Sequence, residues 1–398
     1  MNLMKLQFKI FTIFLFISTI IFGQEKILYS KNYKTNEVTT ALLEFNIGGG
    51  IIEIEESNDD KFYIEHSIEF ENYSKRQKEK ITKEIQNRYS VATQIKGNHI
   101  SYSYKNKSNI RSYYNIDSYM NSGYIPVKKN DSLIKHKQIK TFIDEVKENK
   151  TSEFFFINSI TKTKHISERR KERTIKKHKN KNTKSKIYRL NVKFKIPKNL
   201  NLTINSDFTR IKFIGNLKNK FSIRFNGGRL FADSFKNKDN VIKLKDGIII
   251  IESMSGGELS LDSVRHALLG ELSNLKLNSE FSKIEIGEIS SNTKMEGFNN
   301  SMIIHNFSTD FNNLEIESEY SDINMFYPQI NNFTLKTFGN NTVHYIDGER
   351  KTYKNKETEI IKMFELIKNE NSSNSNKIKI TSLNSIIRLG KNIIDFGS

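Results

Sequence analysis

Apolar and polar residues alternate along much of this chain, and one phrase of that alternation returns three times. It reads Leu202-x-Ile204-x-Ser206-Asp207-Phe208-Thr209-x-Ile211-x-Phe213. It recurs as Leu275-x-Leu277-x-Ser279-Glu280-Phe281-Ser282-x-Ile284-x-Ile286, and again as Leu314-x-Ile316-x-Ser318-Glu319-Tyr320-Ser321-x-Ile323-x-Met325. Each copy is two short runs of period two joined by a small polar turn. Period two sends every second side chain to one face of a strand. Weaker copies fill the gaps at intervals of about 20–26 residues, the range of stacked repeats. One of them, Met295 through Asn299-Asn300 to Ile304, is degenerate but recognisable.

A single repeat of this length cannot bury its apolar face. Stacking a like repeat about 4.8 Å away pairs the backbone and aligns like residues in columns. The expected fold is therefore all-β, a parallel β-helix or solenoid of short stacked strands, eight or nine layers and about 40 Å long. Ile204, Leu277 and Ile316 should share one column, and Phe208, Phe281 and Tyr320 another near the corner. A β-sandwich with hairpins at similar spacing is the alternative.

The rest of the chain divides around this repeat. Residues 25–104 form a β module whose Gly48-Gly49-Gly50 suits a tight corner. Ser74 to about Tyr89 reads as a helix, with Ile81, Ile85 and Tyr89 at spacing four. Residues 105–186 form a polar and basic insert, weakly helical over 132–160, and 187–349 carry the repeat. Residues 350–376 read as a helical and polar insertion, with Ile360, Phe364 and Ile367 on one stripe of a helix over Thr358 to Lys368. Residues 377–398 hold a final layer and the tail. The two helices are placed to cap the open strand edges of a stack.

Residues 1–24 change the picture of location. Lys5 and Lys9 precede an apolar run from Ile10 to Phe22, the pattern of a secretory signal, with cleavage expected near Gly23 or Gln24. An uncleaved N-terminal anchor is the alternative. The expected place is the periplasm or cell surface of a bacterium. The chain has no Cys, so disulfides, thiolate metal sites and an anchor on an N-terminal lipidated Cys are excluded.

Charge singles out one segment. The chain carries +19, and 161–186 holds twelve Lys or Arg against two Glu, a net of +10. With almost no apolar content, that segment cannot offset the entropy of ordering and is read as disordered. Lys162, Lys164, Arg169, Arg170, Lys171, Arg173, Lys176, Lys177, Lys179 and Lys181 are its candidate contacts to a polyanion. The partner would be an acidic surface glycan, lipid head groups, or extracellular DNA held through phosphate. No aromatics are interleaved to stack on bases, so base-specific recognition is not expected.

Catalytic chemistry is weakly represented. Asp207, Glu280 and Glu319 fall at equivalent turn positions, so a polysaccharide-acting enzyme would need them clustered in one groove. The eight histidines show no His-x-x-x-His spacing. No nucleophile elbow and no phosphate-binding glycine loop is present, and no cofactor or metal is expected.

The run Phe194-x-Ile196-Pro197-Lys198-x-Leu200-x-Leu202-x-Ile204-x-Ser206, with its aromatic turn and Ile211-x-Phe213, resembles a family of proposed bacterial adhesins. Their domains are like the head of an auto-transporter adhesin. Glu44-Phe45-Asn46-x-Gly48-Gly49-Gly50 and Ile52-x-Ile54 are similar to that family's opening strands. The resemblance covers about 38–104, 187–345 and 378–389. It implies a β-solenoid of the cell envelope, adhesive or scaffolding, with no catalytic residues. The family carries Gly after the aromatic, whereas Thr209, Ser282 and Ser321 stand there in this chain, which argues against a positive-φ turn at those corners.

Overall fold

The computed structural model describes residues 24–34, 38–47, 51–59, 61–71, 73–107, 187–326, 333–347, 351–354, 361–368 and 376–390. The signal-like residues 1–23 and the whole basic run 161–186 lie outside these residues, and so do all ten of its candidate contacts.

Among the described residues the chain forms 23 strands in one mixed, mostly parallel sheet, and one helix. The regular part begins with three long strands, β8 (Asn201–Leu217), β9 (Phe221–Phe235) and β10 (Val241–Ser255), followed by β11 (Glu258–Ser273). Each bends once near its middle, giving a first arm and a second arm. In the layers that follow, the bend becomes a break. The arms are then β12 (Leu275–Glu280) with β13 (Lys283–Ile289), β14 (Thr293–Phe298) with β15 (Ser301–Ile304), and β16 (Asn313–Glu319) with β17 (Asp322–Phe326).

First arm pairs with first arm and second with second, in parallel register. Ile204 faces Ile223, which faces Ile242, then Leu259, Leu277, Met295 and Ile316. The column continues through Ile380 to Thr337 at one end, and through Leu43 to Tyr102 at the other. All eleven members are buried. The expected column of Ile204, Leu277 and Ile316 is therefore present, over more layers than expected. Its steps from Ile204 to Ile316 are 17 to 21 residues. This is shorter than the spacing read from the sequence, because the layers cornered at Asp246 and Ser263 lack the aromatic signature.

The inward residues of both arms meet in one hydrophobic core. Phe213, Phe221 and Phe235 pack edge to face with centroids 5.0–5.3 Å apart. Each fully buried aliphatic or aromatic side chain contributes roughly 1.5–3 kcal/mol.

The layers do not follow chain order at either end. β2 (Thr40–Asn46) and β3 (Ile51–Glu56) lie between β8 and the pair β6 (His99–Asn106) and β7 (Ile187–Ile196). At the far end, β22 (Asn376–Leu383) and β23 (Ile386–Gly390) are inserted between β16/β17 and β18 (Phe333–Asn340) with β19 (Val343–Ile346).

Antiparallel strands close most of the open edges. β4 (Lys61–Glu71) pairs antiparallel with β7, β1 (Gln24–Lys34) with β4, and β5 (Tyr89–Lys96) with β6. At the other end, β21 (Ile361–Lys368) lies antiparallel on β18, and β20 (Lys351–Lys354) on β21. The helix expected over Thr358 to Lys368 is thus corrected to strand over 361–368. Phe364 and Leu366 are buried there and alternate with half-buried neighbours, so the same residues satisfy period two. The unpaired edge of β18 decides between the two periods.

The other expected helix is present as α1 (Lys75–Arg88). Ser74 caps it: the Gln77 backbone N–H donates to Ser74 Oγ, and the Ser74 N–H donates to Gln77 Oε1 at 3.1 Å. Ile81 and Ile85 join the core. No helix among the described residues is long and apolar enough to cross a membrane.

Candidate functional site

The corner between the two arms carries the chemistry that the repeat leaves exposed. Phe208, Gly227, Asp246, Ser263, Phe281, Asn299, Tyr320, Asn384 and Asn341 occupy it, one per layer, and all nine have φ between 49° and 66°. The turn that was not expected is therefore there, one residue earlier than in the family pattern, on the aromatic itself. Gly, Asn and Asp adopt this left-handed conformation readily. Phe and Tyr do not, and the strain is on the order of 1–2 kcal/mol each.

The residue after the corner explains how the turn is held without glycine. Ser282 Oγ donates to the Glu280 carbonyl at 2.7 Å, and Ser321 Oγ to the Glu319 carbonyl at 2.8 Å. The same hydroxyls accept from neighbouring layers: the Val264 N–H donates to Ser282 Oγ at 3.0 Å, and the Asn300 N–H to Ser321 Oγ at 3.1 Å. Asn300 Oδ1 accepts from the Ser282 N–H at 2.9 Å, and Ser385 Oγ from the Ser321 N–H at 3.1 Å. A buried polar ladder thus satisfies backbone donors where the regular strand pairing is broken.

Three aromatics project at this corner. Phe281 is 53% exposed, Phe298 37% and Tyr320 54%. Phe298 ends β14 beside the corner. Its ring meets Phe281 at 5.4 Å and Tyr320 at 5.6 Å, edge to face in both cases. Phe208 differs. Its ring lies over Gly227, where a Cβ would come within 2.7 Å of it, so that aromatic fills the space a side chain would need.

The ridge separates two hollows. One, of about 590 Å³, lies toward the second arms and is lined by Arg265, Lys283, Asn299 and Asp322 beside Phe281 and Tyr320. The other is a groove of about 1240 Å³ along the first arms. Arg224, Lys243 and Lys245 line one end of it, and Asp262, Glu280, Glu296, Glu317 and Glu319 the rest. Asp262 is held below the usual carboxylate range by the Ser263 hydroxyl and then by Lys245, whose Nζ is 3.0 Å away. Glu296 is lowered chiefly by its hydrogen bond with Lys294 at 3.1 Å.

The three carboxylates read from the sequence are only partly brought together. In register, Asp262 faces Glu280, Glu280 faces Phe298, and Phe298 faces Glu319. Glu280 and Glu319 share the groove with an aromatic between them. Asp207 faces Asn226, lies four layers before Glu280 and does not line the groove.

Sequence spacing alone did not find a second grouping. His266 Nε2 lies 3.0 Å from Glu285 Oε1, and His305 Nε2 3.7 Å from Oε2. Burial pushes the Glu285 carboxyl up, but the hydrogen bond of His266 and the close approach of His305 outweigh it and hold it well below the usual range. Residues about 19 apart become neighbours by stacking, which a search for short motifs cannot detect. Among the described residues, no cluster of three or more His, Cys, Asp or Glu has metal-holding geometry.

No family model and no curated relative matches the chain. Two crystal structures are similar to it. One is of a proposed cell adhesion protein from Clostridium sporogenes ATCC 15579, at 8% identity and TM-score 0.22, covering 92% of this chain and 99% of that one. The other is of a proposed adhesin from Bacteroides fragilis NCTC 9343, at 9% identity and TM-score 0.34, covering 92% and 98%. Neither likeness is close enough to assign a role.

Proposed function

We propose that the protein is exported to the bacterial envelope and acts there as a non-catalytic β-solenoid, adhesive or scaffolding. The observation that carries this reading is the corner ridge. Phe281 and Tyr320 each combine a strained backbone with a half-exposed ring, where neighbouring layers use Asn at no such cost. Neither strain nor exposure helps the fold, so a contact surface for a partner is the physical reason to keep them. The stacked layers hold that ridge rigidly between two polar hollows.

The test is attachment. The secreted chain is screened on arrays of glycans and matrix proteins, alongside the double variant Phe281→Asn, Tyr320→Asn. The variant should lose at least tenfold in affinity while each substitution changes stability by no more than about 1 kcal/mol. Full retention of binding by the variant would remove the ridge from the function. N-terminal sequencing of envelope fractions should find the mature chain starting near Gln24 or Glu25.

A further inference from the structure

We infer that the aromatic ridge at the corner of the layers binds an extended, uncharged, β-linked glycan, with one sugar unit to each layer. This rests on the adhesive reading of the ridge and names the class of ligand it serves.

The ridge has the period of such a chain. Phe281, Asn299 and Tyr320 hold the corner in three successive layers. Their own N–H groups tie each layer to the next: Phe281 donates to the Phe298 carbonyl at 3.0 Å, Asn299 to that of Glu319 at 2.9 Å, and Tyr320 to that of Leu383 at 2.9 Å. One layer step is about 4.8 Å, so the two corner rings stand about 9.6 Å apart along the stack. A β-linked hexopyranose chain in its extended form advances by nearly one layer step per sugar. Successive sugars are turned over, so every second one offers the same face. Two rings separated by a single non-aromatic corner match that alternation. The negative face of an aromatic ring attracts the C–H bonds that a pyranose presents on its flat side. Phe281 and Tyr320 are both more than half exposed, and Phe298 meets each of them edge to face, which holds the rings in place before any ligand arrives.

Polar groups stand beside the rings, where sugar hydroxyls would lie. Among the described residues, the Asn299 side-chain amide and the Tyr320 hydroxyl have no hydrogen-bond partner. Asn384, at the corner of the next layer, engages only its Oδ1, which accepts from Asn341 Nδ2 at 2.6 Å. All three residues line the hollow of about 590 Å³ next to the ridge. Apolar surface with a few placed donors and acceptors is the ordinary make-up of a small-molecule site. Charge argues for an uncharged ligand. Of the ionic side chains in this hollow, Arg265 lies 3.3 Å from Asp246, Asp322 bonds Arg388, and Lys283 is engaged by another group. On the other side of the ridge, Glu280 and Glu319 would repel an acidic chain.

Calorimetric titration of the full-length chain with cellohexaose and with chitohexaose tests this. Maltohexaose, whose α-links curl the chain, and heparin, a polyanion, are the contrasts. At least one β-linked hexasaccharide should bind, more tightly than its own disaccharide, and about 0.5 M salt should leave that binding unchanged. Phe281→Asn and Tyr320→Asn keep a residue that tolerates the left-handed corner, and each should weaken binding about tenfold. Asn299→Gly keeps the turn and both rings, and should weaken it about threefold. That variant reads the same site independently if a ring variant fails to fold. Binding of neither β-linked hexasaccharide, equal binding of maltohexaose, or a preference for heparin that fades with salt would overturn the inference. If the ring variants lost attachment to a matrix protein while the parent bound neither hexasaccharide, the adhesive reading would stand and the glycan would not. If they bound every partner as the parent does, the ridge itself would be removed from the function.

Discussion

Two columns run side by side through this stack, and both come from the same repeated phrase. The column of Ile204, Leu277 and Ile316 is buried along its whole length, and each member is covered by its like in the next layer. The corner column of Phe208, Phe281 and Tyr320 lies four residues further along, in the same register. There Phe281 and Tyr320 are held out in solvent on strained backbone. One phrase thus specifies two kinds of position. The aliphatic residues are replaceable by any apolar neighbour, as Met295 shows within the same column. The corner accepts Gly, Asn, Asp, Ser or an aromatic, because it demands only a left-handed turn. The fold explains the first column completely and the aromatics of the second hardly at all.

The sharpest way to break this contrast is to place a charge in the buried column. Leu277→Asp would set a carboxylate between Leu259 and Met295 with no partner, and should cost more than about 4 kcal/mol. Denaturant unfolding should show the loss as a large fall in midpoint. An unchanged midpoint would mean that this face is not the core.

Acid should loosen the same column at its end. Tyr102 heads it and hydrogen bonds through its hydroxyl to His66, which is buried. Burial pulls the His66 pKa down to about 4 from an ordinary value near 6.5. The unfolded chain therefore takes up its proton near pH 6.5 and the folded chain only near 4. Stability from this group is complete above pH 6.5 and is lost as pH falls through that window, by about 3 kcal/mol. His66→Gln should flatten the decline; an equal slope in the variant would assign the acid sensitivity elsewhere.

The buried column was legible in the sequence because period two and the repeat agree at Ile204, Leu277 and Ile316, and even at Met295. The order of the layers was not. Ile378 and Ile380 resemble every other first arm, so nothing in their pattern says that Ile378 enters between Leu314 and Leu335, and Ile380 between Ile316 and Thr337. Phe364 and Leu366 fit both helix and strand, and an unpaired neighbouring edge settled it. At the corner, the phrase located the aromatics but not their exposure. That depends on which face the left-handed turn presents, and it is the absence of glycine that misled. Ser282 and Ser321 hold the turn by hydrogen bonds the sequence does not display. The pairing of Glu280 and Glu319 across Phe298 was half legible. The equivalent positions were visible, but the intervening degenerate layer hid that they were not adjacent.

The polar ladder is the next test in size. Ser321→Ala removes the acceptor of the buried Asn300 N–H and the donor to the Glu319 carbonyl, while leaving both columns intact. The expected loss is about 1–3 kcal/mol, that of an unsatisfied buried donor. Amide exchange should rise first at Asn300 and its neighbours. If Ser321→Ala were neutral, the corner would owe its shape to strand pairing alone.

The smallest effect separates the columns most clearly. Phe281→Asn keeps the left-handed turn, replaces an L-aromatic with a residue that tolerates it, and removes a ring that is half exposed. The relief of strain, roughly 1 kcal/mol, is opposed by the lost contact with Phe298, about 0.5–1.5 kcal/mol for such a pair. The net change in stability should lie within about 1 kcal/mol of zero, whereas Leu277→Asp, four residues away, unfolds the chain. A loss of several kcal/mol for Phe281→Asn would show that the ridge is part of the core's support, and would remove the physical reason for treating it as a surface kept for contact.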